Sequence, residues 1–481
     1  MRYRLLFYLF VPCSILMTFT SCTVLTPLSS TNLRKEENQQ DEIFVLKNVN
    51  IIPMTAENKI IKNGTVVIRD KRILSINQPV PHQAKIIDGR GKWLIPGLTD
   101  MHVHNLADVN FSTNYPTKGA TIFADTQNFM LLYIANGITT VFELNARVEH
   151  FGQRNEIIKG KVIGPRVALA FLIDGGDTSG NIANTPAEGR QTVRIAKAQG
   201  YEFIKLYSGL NIETFKAVID EANQQGMKVV GHIPNAFRGK IEEAFVPHFD
   251  MVAHAEEYAK ESKDLSDEDA RRFAQFAKEN QTWLTPTLTT MERIANQTNS
   301  LDGIRNLPSL KYVHPLMQSK WLTSNRYNQE TDPKRIDRID NMTNFHLRLV
   351  KAFKEAGVPI VAGTDAGVSG VVWGFSLHDE MELLVKAGLS TNEALASATR
   401  LPATWLGLED KIGTVEAGKY ADLVLLEANP LDDIKNTRKI SGVFVNGNWL
   451  EKEKIDVMLD ELEKWNNAHK DKFDWKKRNN Y

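Results

Sequence analysis

From about residue 97 to residue 408 the chain alternates short apolar runs with stretches whose apolar residues recur at helical spacing. Eight runs read as strands: Thr99–His104, Gly137–Leu144, Arg166–Asp174, Glu202–Ser208, Lys228–Ile233, Met251–Glu256, Thr282–Thr289 and Pro359–Asp365. Between the fourth and fifth, Ile212–Gln225 sets Phe215, Val218, Ile219 and Ala222 on one helical face. Eight strands alternating with helices over roughly 300 residues predict an α/β fold, a (β/α)8 TIM barrel.

Outside this segment the pattern is shorter and more β-like. Phe44–Leu46, Thr65–Ile68 and Ile73–Ile76 are separated by Asn, Gly and Asp, and similar runs return at Ala421–Leu426 and Gly442–Gly447. They predict a small β-sandwich domain formed by the N- and C-terminal segments, residues 42–96 and 409–450, with the barrel of residues 97–408 inserted into it. Residues 451–481 carry Ile455, Leu459, Leu462 and Trp465 at helical spacing and predict a docked amphipathic helix. The stretch from Met291 to Gly357 is longer than a barrel connection needs. Its Tyr312, Trp321, Tyr327 and Phe345 suit either a lid over the substrate or a helical cover on the barrel side.

The first residues have a different character. Arg2 and Arg4 precede an apolar run from Leu5 to Phe19 that Pro12 interrupts, shorter than the ~20 residues of a spanning helix. It ends at Thr20-Ser21-Cys22, which resembles a bacterial lipoprotein cleavage site, although Phe19 is not the usual aliphatic residue. Residues 1–22 are therefore expected to be a signal peptide, with Cys22 lipidated, residues 23–41 a polar tether, and the protein an exported lipoprotein on a membrane. A plain secretory signal cut nearby is the alternative. Cys13 and Cys22 are the only cysteines, so a chain processed at Cys22 has no disulfide and no thiolate for metal or catalysis.

Composition adds a negative result. Hydrophobic residues are 42% and charged residues 24%, and 58 basic residues balance 58 acidic ones. No basic excess favours a nucleic-acid partner.

Polar residues stand where the apolar runs end. His102 and His104 close the first strand, and their i, i+2 spacing sends both imidazoles to one face, where they can converge on one ion. Lys205 follows Phe203-Ile204, His232 follows Val229-Val230-Gly231, His254 follows Met251-Val252-Ala253, and Asp365 closes Ile360-Val361-Ala362-Gly363-Thr364. The carboxyl ends of barrel strands form the active-site face. Singly, each histidine would more often be a hydrogen-bonded core residue and the lysine would reach to solvent. Six such groups on strands one, four, five, six and eight point to a site. Tyr207, two residues past Lys205, shares its face and is either a substrate contact or a rim residue. His378, at the predicted start of a helix beyond the eighth strand, is either a substrate contact or helix-end packing.

With these residues in view, the chain resembles the amidohydrolase superfamily. The resemblance rests on Pro96-Gly97-Leu98-Thr99-Asp100-Met101-His102-Val103-His104, on Lys205, His232 and His254, on Gly363-Thr364-Asp365, and on the run Ile412–Leu423. It is strongest to the branch of imidazolonepropionase-like enzymes and metallo-dipeptidases acting on Xaa-Pro or related dipeptides. It implies one divalent ion on His102, His104 and Asp365, a second on His232 and His254, and Lys205 carboxylated by carbon dioxide to a carbamate bridging both. Nitrogen and oxygen ligands without thiolate suit Zn2+, with Mn2+, Co2+ or Fe2+ as alternatives. The resemblance further implies a metal-activated hydroxide as nucleophile and Asp365 as proton carrier. The expected function is hydrolysis of a C–N bond in a small-molecule amide or dipeptide. An imidazolonepropionase-like opening of a cyclic amide or lactone is the runner-up. A catalytically silent binding protein is a third reading, but such a relative should have lost ligands and none is missing. The sequence leaves homo-oligomer formation open.

Overall fold

The protein is described here by a computed structural model covering residues 42–106, 124–176, 181–328 and 333–480. Cys22 and the expected signal and tether lie outside the described residues. In chain order the strands are β1 Phe44–Ile51, β2 Ile61–Arg69, β3 Arg72–Ile76, β4 Lys85–Asp88 and β5 Trp93–Pro96. Next come β6 Leu98–Val103, β7 Ile138–Glu143, β8 Arg166–Asp174, β9 Asn181–Ile182, β10 Phe203–Leu206, β11 Lys228–Gly231, β12 Met251–Ala253 and β13 Trp283–Thr285. The chain then returns through β14 Leu423–Leu426, β15 Ile440–Val445 and β16 Asn448–Glu451.

Strands from both ends share one sheet in the order β16-β15-β14-β5-β1-β2-β3, with β4 beside β1. On one side of β1, Phe44–Lys47 pairs with β4 and Asn50–Ile51 pairs with β5, so the sheet splits along that strand. Three strand spacings of about 4.8 Å would separate β15 from β1 in a flat sheet. The rings of Phe444 and Phe44 are only 5.4 Å apart, so the sheet curls onto itself as a small sandwich. Leu46, Ile51, Ile68, Leu94, Leu425 and Phe444 form its core.

The second sheet runs β6-β7-β8-β10-β11-β12-β13, every pair parallel. The expected eighth strand is not a continuous ladder, yet its segment fills the gap. Val361 N donates to Leu284 O at 2.9 Å on the β13 side, while Met101 N donates to Ala362 O at 3.0 Å and Asp365 N to His102 O at 2.8 Å on the β6 side. These bonds close the barrel. Gly363 explains the irregularity: a Cβ there would lie 3.0 Å from both the backbone nitrogen and Cβ of His102, so only glycine lets the two segments approach.

Alternation along the strands separates two apolar layers. Ile204, Leu206, Val229 and Val252 face the surrounding helices, whereas Phe203, Val230, Met251 and Ala253 face the barrel axis. The same alternation directs Lys205 inward, above Phe203. Below, Trp405 from the helix Arg400–Leu406 plugs the axis, 5.4 Å from the Phe203 ring and 5.5 Å from that of Phe142. We predict that Trp405→Ala lowers folding stability by about 3–5 kcal/mol, the range for emptying a large aromatic site. Denaturant unfolding checks this. A loss below about 1 kcal/mol would mean that the helix repacks and the plug is dispensable.

The long connection after β13 forms the helices Leu288–Asn299, Pro315–Thr323 and Pro333–Ala356. Trp321 and Phe345 are fully buried, as expected of a cover. Trp321 also stacks on Trp373, with ring centroids 5.9 Å apart, and the Trp373 indole donates to His104 O at 2.9 Å. The helix Lys452–His469 buries Ile455 and Leu462, and Asn466 donates to the carbonyls of Lys311 and Val313. Trp465 is half exposed rather than buried and stacks on His469.

Candidate metal centre at the barrel mouth

Six polar residues emerge at the carboxyl ends of the barrel segments. His102 Nε2 and His104 Nε2 lie 3.3 and 3.0 Å from the same Asp365 oxygen. One ligand atom from each of His102, His104 and Asp365 falls within 4.8 Å of the others, close enough to share a metal ion. His254 bridges outward from this trio: its ring is 4.7 Å from that of His102 and 4.7 Å from that of His232. The Tyr207 ring packs edge-on to His232 at 4.4 Å and is 42% exposed, which puts it on the open rim of the cluster.

Lys205 is the anomaly. It is 1% exposed, and its Nζ has no hydrogen-bond partner among the described residues. Burial lowers its pKa to about 8, against the opposing pull of Asp365 and Glu257. At pH 8 about half of such an amine is neutral, against well under a hundredth for an ordinary lysine. Leaving a buried amine bare costs free energy, so the Lys205 Nζ marks where a missing group belongs.

The imidazoles are tuned for ligation. Burial, reinforced by the Lys205 charge, holds His102 and His232 well below the usual histidine range, and burial with His232 does the same for His254. Neutral rings keep lone pairs available. His104 differs: burial works against its charge, but Asp365 and Glu143 more than offset it and raise its pKa to about 9.

Behind the ligands stand residues that the sequence reading did not single out. Glu257 accepts from His232 Nδ1 at 2.7 Å, and Thr287 Oγ1 lies 2.8 Å from His254 Nδ1, leaving each Nε2 toward the cluster. Glu143 lies 3.5 Å from His104 Nδ1 and accepts the backbone nitrogens of Asn105 and Asn145. Asp100 accepts from Thr364 N at 3.0 Å and Thr364 Oγ1 at 2.7 Å, pinning the segment that delivers Asp365 to β6. Glu143 carried a usable signal, since it too is a polar residue closing an apolar strand. Backbone strain gathers at the same place: His254, Thr287 and Asp365 have φ of 82°, 50° and 58°. For a β-branched threonine this costs on the order of 1–3 kcal/mol and persists only where the surroundings enforce it.

Of its two readings, His378 has the surroundings of helix-end packing. It is 1% exposed, its Nδ1 lies 2.9 Å from Thr437 Oγ1, and burial lowers its pKa to about 3. Thr437 belongs to the short helix Ile434–Arg438. The backbone of Asn136, just before β7, is close enough to act on the His378 charge, although the ring Nε2 has no hydrogen-bond partner among the described residues. Asn136 stands at the amino end of the strand, opposite the cluster. A helix start without strand alternation gave no means of telling which end the ring would face.

A parallel barrel with imidazoles, a lysine and a carboxylate converging at the carboxyl ends of its strands defines a barrel hydrolase with a candidate metal centre. Residues 93–450 match the amidohydrolase family, and the chain belongs to it. The protein is accordingly a hydrolase acting on carbon–nitrogen bonds. It is 24% identical over 399 residues to an imidazolonepropionase of Thermoplasma acidophilum, covering 79% of this chain and 86% of that one. It is 22% identical over 441 residues to a 5-methylthioadenosine/S-adenosylhomocysteine deaminase of Bacillus cereus, covering 83% and 92%. Among solved structures, a Xaa-Pro dipeptidase with methionine bound in its active site superposes with a TM-score of 0.64 at 22% identity, covering 85% of this chain and all of the other.

Proposed function

We propose that this protein hydrolyses the amide bond of a dipeptide or similar small molecule, at two divalent ions held by His102, His104, His232, His254 and Asp365 and bridged by carboxylated Lys205. The observation that carries the reading is the buried, unpartnered Lys205 amine, whose charge acts on His102, His232 and His254. As an ammonium it would repel cations; as a carbamate it supplies two anionic oxygens to the same space. The donor set favours Zn2+. Bound divalent ions supply Lewis acidity, which acidifies water and polarises a carbonyl.

The chain does the rest. Asp365, whose carboxylate touches both His102 and His104, takes the proton from the attacking water and returns it to the departing nitrogen. The oxygen of that water joins the acyl carbon as the C–N bond breaks, so one water is consumed and an acid and an amine result. Glu257, Thr287 and Glu143 hold the ligand rings in place. Tyr207, on the open rim, donates to the substrate carbonyl or carboxylate.

The test is a panel of dipeptides, N-acyl amino acids, lactams and lactones offered to metal-reconstituted protein. Open-chain dipeptides are expected to be the best substrates. Preference for a lactam or lactone would move the assignment to the imidazolonepropionase-like ring opening.

We also propose export and anchoring through Cys22, on the strength of the Arg2/Arg4 start, the apolar run and the small residues before the cysteine. No helix among the described residues is long and apolar enough to cross a membrane. Cys22→Ala is expected to release the protein from membranes with its turnover unchanged, as read by fractionation and intact mass. Unaltered fractionation and mass would remove the lipid anchor from the account.

A further inference from the structure

We infer that Arg326, with Tyr327 and Tyr207, forms a carboxylate-binding wall at the mouth of the site and selects substrates with a free carboxylate on the amine side of the scissile bond. This rests on the reading of the mouth as a peptide-hydrolysing centre and adds the class of substrate.

The cover over the barrel side ends in a short turn that is fixed rather than loose. Asn325 Nδ2 donates to Gln297 Oε1 at 2.6 Å and to Trp321 O at 2.9 Å, and its Oδ1 accepts from Tyr327 N at 2.9 Å. Asn328 Nδ2 donates to Gln297 O at 2.8 Å. Gln297 Nε2 in turn donates to Ser369 O at 3.0 Å, four residues beyond Asp365. The turn is thus tied to the segment that carries the carboxylate of the site. Trp321, one helical turn before Asn325, stacks on the tryptophan whose indole holds the His104 carbonyl.

This mount carries Arg326. Its Nη2 donates to the Tyr327 hydroxyl at 2.5 Å, and its guanidinium lies 4.8 Å from that ring. Its charge is within electrostatic reach of Tyr207 and Asp365, and Tyr327 is within reach of Asp365. The other cation near Tyr207 is already neutralised: Lys260 lies 2.8 Å from Glu257 and 3.6 Å from Glu256. Arg326 makes no ion pair with a carboxylate among the described residues. A guanidinium held by one tyrosine, and acting on a second that packs on a ligand histidine, has no anion among the described residues to accept its remaining donors.

The chemistry favours a carboxylate over a phosphate monoester. One guanidinium presents a planar pair of donors matched to a two-oxygen anion. A doubly charged phosphate would call for a second free cation, and Lys260 is engaged. A neutral lactam or nucleoside would leave Arg326 without a partner.

The experiment uses the full, metal-loaded protein. Hydrolysis of Ala-Pro is compared with that of its C-terminal amide in wild type, Arg326→Ala and Arg326→Lys. Binding of the same two ligands is measured by calorimetry in metal-loaded Asp365→Asn protein, with and without Arg326→Ala. Wild type is expected to prefer the acid by about tenfold to a hundredfold, the scale of a hydrogen bond to a charged group. Arg326→Ala should bring the acid-to-amide ratio close to one in both measurements, and Arg326→Lys should restore part of it. Equal handling of acid and amide by wild type, or a preference that survives Arg326→Ala, overturns the inference even if both compounds are cleaved. Failure to cleave either compound, with acid-selective and Arg326-dependent binding intact, counts against the peptide-hydrolysing reading and leaves the carboxylate wall standing.

Discussion

Lys205→Ala is expected to lose both activity and bound metal, and to regain part of each in acetate or propionate. The wild-type side chain is fully buried and unpartnered at its nitrogen, and burial lowers its pKa to about 8. Only the neutral amine attacks carbon dioxide, so lowering the pKa from the usual lysine value of about 10.4 prepares Lys205 for that reaction near neutral pH. The sign follows directly. As pH rises through about 8 the amine loses its proton, and when depleted protein is given back a fixed concentration of dissolved carbon dioxide, carbamate formation and metal uptake should rise with it. Alanine removes the bridge and leaves a cavity that a small carboxylate fits. Lys205→Arg should not be rescued, because its guanidinium stays charged and occupies the space. Turnover should fall by more than the ~10²-fold typical of losing a supporting residue of a metal site. Metal analysis and intact mass under gentle conditions provide the check, with two ions per chain and a mass heavier by one carbon dioxide expected for wild type. Saturation at one ion with an unmodified lysine would leave a mononuclear hydrolase.

How far the sequence alone led depends on whether a residue's role is local. Strand alternation is local, so spacing assigns His102 and His104 to one face, while Lys205 is legible as a polar residue following an apolar run; the structure groups the two histidines with Asp365 and puts the buried Lys205 where its charge acts on His102. His254 and Asp365 were found for a different reason than their geometry warrants. Both follow apolar runs, yet each enters the cluster through a left-handed backbone turn that no alternation predicts. The eighth strand was legible as an apolar run, but its irregular pairing depends on the contact between Gly363 and His102, residues far apart in sequence. The strands Lys85–Asp88 and Trp93–Pro96 escaped notice because one is largely exposed and the other ends in a proline that reads as punctuation. Glu143, Glu257 and Thr287 act through histidines supplied by other elements, and a single sequence records no such pairing. The same holds for Arg326, a charged residue in a long insertion until Gln297 ties its turn to Ser369.

Asp365→Asn should leave the fold and much of the bound metal in place while lowering kcat by ~10²-fold or more, the usual scale for losing a general acid–base group. The substitution preserves shape and changes charge. Asp365 N donates to His102 O, and Asp100 holds the neighbouring Thr364, so the segment is positioned by contacts that the variant keeps. What disappears is the anion. Burial alone would raise the Asp365 pKa, but the hydrogen bond and charge of His104 more than offset it, so the carboxylate is ionised throughout the neutral range. A depressed pKa means that the base is lost only as pH falls into the acid range, and wild-type kcat should decline there. The side-chain amide of the variant does not titrate in that range, so its residual rate should lack the acid limb. His104 supplies a second readout independent of turnover. Its raised pKa, about 9, depends on Asp365 and Glu143 against the effect of burial. With Asp365 neutralised, it should titrate lower in metal-free protein, as followed by imidazole NMR. A merely structural role for Asp365 predicts a different combination: loss of metal and thermal stability in proportion to loss of rate, with the acid limb intact. Near-normal turnover with full metal occupancy would assign the proton transfer to another group.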